Sequence, residues 1–194
     1  MEWKLFSDGN VNFVDAEWYK EREAAHHLEE DGHVDRLNIA DYLIGRAIDM
    51  GGASIVDLGC GDGGLLQLLK KYVTPSWGYD LMPTNIDHAT RIRGVDARYT
   101  DFNNDEIEYA DIAVMTEVLE HLEDPHKVVR ELPSKYLIAS SPYTETDEYH
   151  YEFHLWAWDP EGYAALMAQG GYKVLQHMLV AGWSQVLLCV REDN

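Results

Sequence analysis

At 194 residues the chain suits one domain with a full core and is too short for a nucleotide-binding domain plus a typical separate substrate domain. Its 46% hydrophobic and 26% charged residues are ordinary for a soluble globule, but the formal net charge of −20 repels polyphosphate and disfavours a broad, non-specific nucleic-acid footprint. Two cysteines, Cys60 and Cys189, provide neither a disulfide framework nor a zinc spacing and read as small buried thiols. No stretch resembles a membrane span, and MEWKLFSDGN lacks a signal peptide's basic start and apolar core, so a cytoplasmic location is expected. Arg91, Arg93 and Arg98 lie close enough in sequence to form a local basic patch, although solubility or adaptation to salt is the plainer reading of the charge.

Residues 1–50 read as a helical preface. DAEWYKEREAAHHLEED offers Asp15 as N-cap of a helical stretch, with a turn at Asp31-Gly32. VDRLNIADYLIGRAIDM then places Leu37, Ala40, Ile44, Ala47 and Ile48 on one stripe, widened by Leu43 and ended by Gly51-Gly52. His26, His27 and His33 match no familiar ligand spacing and read as surface or capping histidines.

From residue 53 strands and helices alternate. A strand over about 54–58 leads to a helix ending near Tyr72, and the strand SWGYDL leads to a helix through NIDHATRI. A short strand around ARYT precedes the strand DIAVMT, a helical TEVLEHL, a break at Asp124-Pro125 and more helix to Leu132. KYLIAS is a fifth strand, SPYTETDEYHYEF a polar loop, and DPEGYAALMAQ a helix capped by Asp159 with Pro160 in its first position. YKVLQHMLV and WSQVLLCVR, joined by a few residues around Gly182, form an antiparallel pair. Such units predict an open, mostly parallel α/β sheet with helices on both faces, in one domain spanning residues 1–194.

The most informative stretch is SIVDLGCGDGGLLQLL, residues 54–69. Ile55, Val56 and Leu58 lead into Gly59, Gly61, Gly63 and Gly64, and Leu65, Leu66, Leu68 and Leu69 lead out. That is a strand, a tight turn and a helix start, a shape that brings bare backbone up to a ligand. Gly59, Gly61 and Gly64 also satisfy the dinucleotide pattern G-x-G-x-x-G, which by itself points to a nicotinamide oxidoreductase. With Asp57, however, the string VDLGCGDG resembles the first motif of class I S-adenosylmethionine-dependent methyltransferases. The resemblance implies a Rossmann-like sheet of seven strands in the order 3-2-1-4-5-7-6 with the last strand antiparallel. It also implies S-adenosylmethionine against Asp57, Gly59, Cys60 and Gly61. Asp80, beside Leu81, lies 21 residues after Gly59, the separation at which a carboxylate can bond ribose hydroxyls, the alternative being a turn or N-cap residue before Pro83. The same resemblance puts Asp101 and Phe102 near the adenine and Thr116 at the end of the fourth strand facing the cofactor.

VMTEVLEHLEDPHKVVREL resembles the segment after strand four in the ubiquinone-biosynthesis O-methyltransferases. Trp18-Tyr19 and Arg36-Leu37 resemble that group's N-terminal aromatic pair and its cofactor-contacting arginine. Glu117, Glu120 and His121 stand at i, i+3 and i+4, which a helix would present on one face. Two carboxylates and an imidazole suit a divalent cation such as Mg²⁺, Mn²⁺ or Zn²⁺. The small-RNA 3′-terminal ribose methyltransferases share this Glu-x-x-Glu-His pattern and add a histidine in His-x-aromatic-x-Trp, which His154-Leu-Trp156-Ala-Trp158 resembles, with Tyr163 at a later aromatic place. The plainer alternative is a capping or packed histidine and solvated glutamates, as in metal-free relatives.

These readings converge on a methyltransferase that carries the sulfonium methyl of S-adenosylmethionine to an oxygen of a small hydroxylated acceptor, with the aromatic segment from Tyr143 to Trp158 shaping the acceptor pocket. Glu117, Glu120, His121 and His154 are the candidate metal ligands, and without metal His121 or His154 is the candidate base. An RNA ribose acceptor, a nicotinamide oxidoreductase and a non-catalytic cofactor-binding partner subunit are the alternatives. No membrane partner is implied.

Overall fold

The structure, a computed structural model, describes residues 1–5, 18, 22–101, 105 and 107–192. Asp15, Tyr19 and Phe102 lie outside the described residues. Among the described residues the elements are, in chain order, β1 (Glu2–Lys4), α1 (Asp31–Asp49), β2 (Ile55–Leu58), α2 (Gly64–Leu69), β3 (Ser76–Asp80) and α3 (Pro83–Asp87). α3 widens into a π-helical turn at His88–Ile92 before β4 (Ala97–Tyr99) and β5 (Ile112–Thr116). A 3₁₀ turn (Leu119–His121), α4 (Pro125–Glu131), β6 (Tyr136–Pro142), β7 (Trp156–Trp158), α5 (Pro160–Gln169), β8 (Tyr172–Val180) and β9 (Ser184–Arg191) follow.

β2, β5 and β6 are buried along their whole length, as near-continuous apolar strands in the middle of a parallel sheet must be. Alternate residues of β5 face opposite layers. Ile112 and Val114 pack with Leu43, Ile44, Leu66 and Leu69 of α1 and α2, while Ala113 and Met115 pack with Val129, Tyr163 and Leu166 of α4 and α5. The seven-stranded sheet has the order β4-β3-β2-β5-β6-β9-β8, and β9 runs antiparallel to both its neighbours. Counted along the chain, this is the 3-2-1-4-5-7-6 order that the glycine motif led us to expect. Asp159 caps α5, accepting a hydrogen bond from the Gly162 amide at 2.8 Å.

Two local expectations are corrected. The helix expected through residue 31 is absent over residues 22–30, and Asp31-Gly32 opens α1 instead of breaking the chain. Residues 22–30 spend their polar groups on the next layer: the Ala25 amide donates to Asn85 Oδ1 at 3.0 Å, and Thr84 Oγ1 donates to the Arg22 carbonyl at 2.8 Å. Asp31 then supplies negative charge where the helix dipole favours it. TEVLEHL is not an α-helix either: Thr116 ends β5, Glu117 turns at φ 56°, and only the 3₁₀ turn follows. Nor do the three arginines gather into a basic patch, since Arg91 pairs with Asp87, Arg93 with the buried Asp62, and Arg98 with Asp96 and Glu108. A small sheet was also not foreseen: β1 pairs antiparallel with β7.

Candidate active site

The carboxyl ends of β2, β3, β5 and β6 open into one cleft of about 1240 Å³. Asp57, Gly59, Cys60, Gly61, Asp80, Leu81, Asp101 and Thr116 all line it, as do Arg36, Glu117, His121 and His154. Glu120 lies behind this surface, 1% exposed. Among the described residues, no helix is long and apolar enough to cross a membrane.

The glycine turn builds one half of the cleft. Gly59, Gly61 and Gly63 take φ of 79°, 55° and 79°, which L side chains rarely adopt, and a Cβ on Gly59 would lie 2.4 Å from Val118 Cγ2. Asp80, at the end of β3, fixes the turn by accepting from the Gly61 amide and from the Met82 amide, both at 2.8 Å, and from Asn85 Nδ2 at 3.2 Å. Asp57 is buried with Oδ1 unpartnered; burial and the nearby Asp80, against the pull of Arg36, push its carboxyl up to about 7. Asp62, also buried, is anchored by Arg93. Burial works against its charge, but hydrogen bonds from His27 and Arg93 outweigh that and hold it at about 2.

Arg36 enters from α1, 1% exposed. Its Nη2 lies 3.0 Å from His33 Nδ1 and its Nη1 4.0 Å from Glu117 Oε1, while Nε and Nη1 have no hydrogen-bond partner. A buried guanidinium with open donors in a cleft is built for an anion.

The other half gathers Glu120, His121 and His154, whose ligand atoms lie within 4.8 Å of one another. The 3₁₀ turn presents the first two, and the backbone bond from the Leu155 amide to the Glu120 carbonyl, 2.7 Å, brings in the third. Both Glu120 oxygens lack partners, and burial, with Glu117 close by, pushes this carboxyl well above its ordinary value. His121 Nδ1 donates to the Phe153 carbonyl at 3.2 Å, and burial together with His154 lowers its pKa to about 4, which keeps the ring neutral. His154 Nδ1 lies 2.6 Å from Glu145 Oε2. Each imidazole is thus oriented through Nδ1, with Nε2 left over. Glu117 stands apart from this trio: its Oε1 accepts from Ser140 Oγ at 2.7 Å and Ser184 Oγ at 3.2 Å.

From the trio a wall of aromatic rings runs along the cleft. Ring centroids are 4.7 Å apart for His121–His154, 5.2 Å for His154–Tyr151, 5.3 Å for Tyr151–Phe153 and 4.9 Å for Phe153–Trp18. Glu145 escaped the sequence reading, and His33, read there as a surface or capping histidine, is half-buried against Arg36. Glu145 reaches His154 across nine residues of loop and gives no periodic signal, whereas His33, three residues before Arg36, was visible as an i, i+3 neighbour.

Residues 33–177 match a family model described as a methyltransferase domain. No curated protein matches the sequence. Among solved structures, magnesium protoporphyrin IX methyltransferase from Synechocystis PCC 6803 with bound SAH is 15% identical, with TM-score 0.69, 90% of this chain and 91% of that one being covered. The methyltransferase domain of bacterial CtHen1 is 20% identical at TM-score 0.63, covering 79% and 99%. The [4+2]-cyclase SpnF is 14% identical at TM-score 0.68, covering 91% and 86%, so the likeness at this level is one of fold.

Proposed function

The chain belongs to the methyltransferase-domain family matched over three quarters of its length, and on that premise we propose that it is an S-adenosylmethionine-dependent O-methyltransferase acting, as a single domain, on a small hydroxylated acceptor. Family membership leaves the nicotinamide reading without support. The observation that carries the proposal is the division of one cleft into a glycine-turn half with an open buried guanidinium and a half with two oriented imidazoles, behind which an orphaned carboxyl group is buried.

The residues fit S-adenosylmethionine. Arg36 offers open donors to a carboxylate, and the glycine turn and Asp80, at the end of β3, line the same cleft, where the Asp80 carboxylate would take a ribose hydroxyl. When bound, the sulfonium supplies an electrophilic methyl group. The chain must hold the acceptor oxygen in line with it, and the aromatic wall formed by Trp18, Phe153 and Tyr151 limits water while packing a flat acceptor.

The trio also fits a divalent cation. Glu120 brings two unpartnered buried oxygens, and His121 and His154 bring nitrogens whose opposite ring atoms are already bonded. Such an ion would bind acceptor oxygens and lower a hydroxyl pKa. Glu117 joins that set only by leaving Ser140 and Ser184. Without an ion, His154, backed by Glu145, is the better-placed base, because His121 is held neutral and weakly basic.

The deciding experiment measures S-adenosylhomocysteine release across catechols, hydroxy acids and short RNAs, with and without chelator. Turnover on a small hydroxylated compound supports the proposal. Turnover on RNA alone moves the acceptor to ribose, and cofactor binding with no turnover on any acceptor overturns the enzymatic reading in favour of a partner subunit.

A further inference from the structure

Arg36 is held from behind by a relay that the methyl-transfer chemistry does not itself require. Glu30, the residue before α1, places Oε2 3.2 Å from His33 Nε2. His33 Nδ1 lies 3.0 Å from Arg36 Nη2. A neutral imidazole has one N–H and one lone pair, and a guanidinium can only donate. The Arg36 contact therefore selects the tautomer: the Nδ1 lone pair accepts from Arg36, and the neutral ring carries its proton on Nε2, the side on which the Glu30 carboxylate stands. Burial first, and then the Arg36 charge, lower the His33 pKa to about 4, which agrees with a neutral ring.

The ring is also fixed in space. His27 stands 5.2 Å away at 48° and Trp183 5.9 Å away at 73°, centroid to centroid. Trp183 also packs closely on Gly32, where a Cβ would lie 3.3 Å from its Nε1. Nδ1 of His33 is taken by Arg36 and Nε2 faces Glu30. What His33 controls is the rotation of the guanidinium plane, and with Nη2 tied back, Nε and Nη1 are the donors without partners.

Resting on the cofactor reading above, we infer that His33, keyed by Glu30, is a positioning residue that presents Nε and Nη1 of Arg36 to the carboxylate of the cofactor's methionine portion. The guanidinium is planar, so fixing one nitrogen sets the direction of the whole fork. Preorganisation of this kind raises affinity by lowering the cost of ordering a long side chain on binding.

The test uses two ligands that share the nucleoside and the sulfur. S-adenosylhomocysteine carries the amino-acid carboxylate, and 5′-methylthioadenosine does not. Calorimetry on His33→Phe, which keeps a ring but removes the acceptor, should show S-adenosylhomocysteine bound about tenfold more weakly, with 5′-methylthioadenosine unchanged. His33→Asn, whose amide oxygen falls near the place of Nδ1, should restore most of the loss. In an Arg36→Met background the His33→Phe change should add nothing. Glu30→Ala, at an exposed position, should give a smaller loss for S-adenosylhomocysteine alone, and it keeps the test open if His33→Phe does not fold. Equal losses for both ligands, or none for either, overturn the positioning role. Failure of the unsubstituted protein to bind S-adenosylhomocysteine overturns the cofactor reading first, and this inference with it.

Discussion

Nδ1 of His154 and Oε2 of Glu145 stand 2.6 Å apart, with both side chains buried. A carboxylate that close can only accept, so His154 keeps its proton on Nδ1 and its lone pair on Nε2, the form that either binds a cation or takes a proton from an acceptor. Glu145→Gln should lower turnover by about 10- to 100-fold and weaken any activating metal similarly, with S-adenosylhomocysteine affinity intact. Steady-state kinetics over a metal titration, with calorimetry for the cofactor, checks this. Unchanged kinetics would make the pair a structural one.

Glu120 has two buried oxygens and no partner for either. A buried polar group without a partner costs about 1–3 kcal/mol, a cost that an apolar side chain of similar length removes. Glu120→Met should therefore melt at or above the unsubstituted metal-free protein. Added Mn²⁺ or Zn²⁺ should raise the melting temperature of the unsubstituted protein alone. A variant that melts lower, beside an unsubstituted protein that ignores metal, would return Glu120 to the fold.

Asp80→Ala should weaken S-adenosylhomocysteine binding by on the order of 2 kcal/mol, the worth of hydrogen bonds to a charged group. The substitution also frees the Gly61 and Met82 amides, so a melting curve must accompany the calorimetry. An intact fold with unchanged affinity would remove Asp80 from the ribose.

Asp57 predicts a pH dependence of the cofactor-free protein. Burial raises its carboxyl to about 7 from an ordinary value of 3.8, so the folded chain binds this proton more tightly than the unfolded chain does. The resulting stabilisation is complete below about pH 4 and is lost as pH rises through 7, at up to about 1.4 kcal/mol per pH unit. Asp57→Asn cannot lose a proton, so its stability relative to the parent should climb between pH 4 and pH 7. Parallel denaturation curves across that range would refute this.

A small acceptor makes methyl transfer only mildly salt-dependent, because no condensed counterions are released on binding. A steep fall in rate between low and moderate salt would favour RNA.

The sheet was legible because its signal is local and repeated. The glycine cluster after Ile55–Leu58 marks the first crossover, and the close-set strands around Gly182 force the antiparallel end. The cleft lining was legible where spacing within one turn sets geometry, as for Gly59 and Gly61, or where one strand-helix-strand unit does, as for Asp80. It was less so after β5. There the i, i+3, i+4 pattern suggested a helix, but Glu117 takes a positive φ, so Glu120 and His121 turn one way and Glu117 another. Glu145 could not be anticipated, because its role depends on how a loop folds. β1 is three residues long, too short for a two-residue period to declare itself.

The short ladder between β1 and β7 bears on how this protein should be cut. Leu155 is bonded on both sides: its amide donates to the Glu120 carbonyl at 2.7 Å, and its carbonyl accepts from the Leu5 amide at 2.9 Å. Glu2 adds to this with Oε2, which takes a hydrogen bond from Trp158 Nε1 at 2.8 Å and meets His126 Nε2 at 3.0 Å. The segment delivering His154 is thereby clamped between the turn that carries Glu120 and a strand lying 28 or more residues ahead of the family match at residue 33. A fragment trimmed to that boundary would keep every strand of the large sheet and release one side of the clamp. Such a truncation would be well folded by circular dichroism and poor as an enzyme, and fusion partners belong at the opposite terminus.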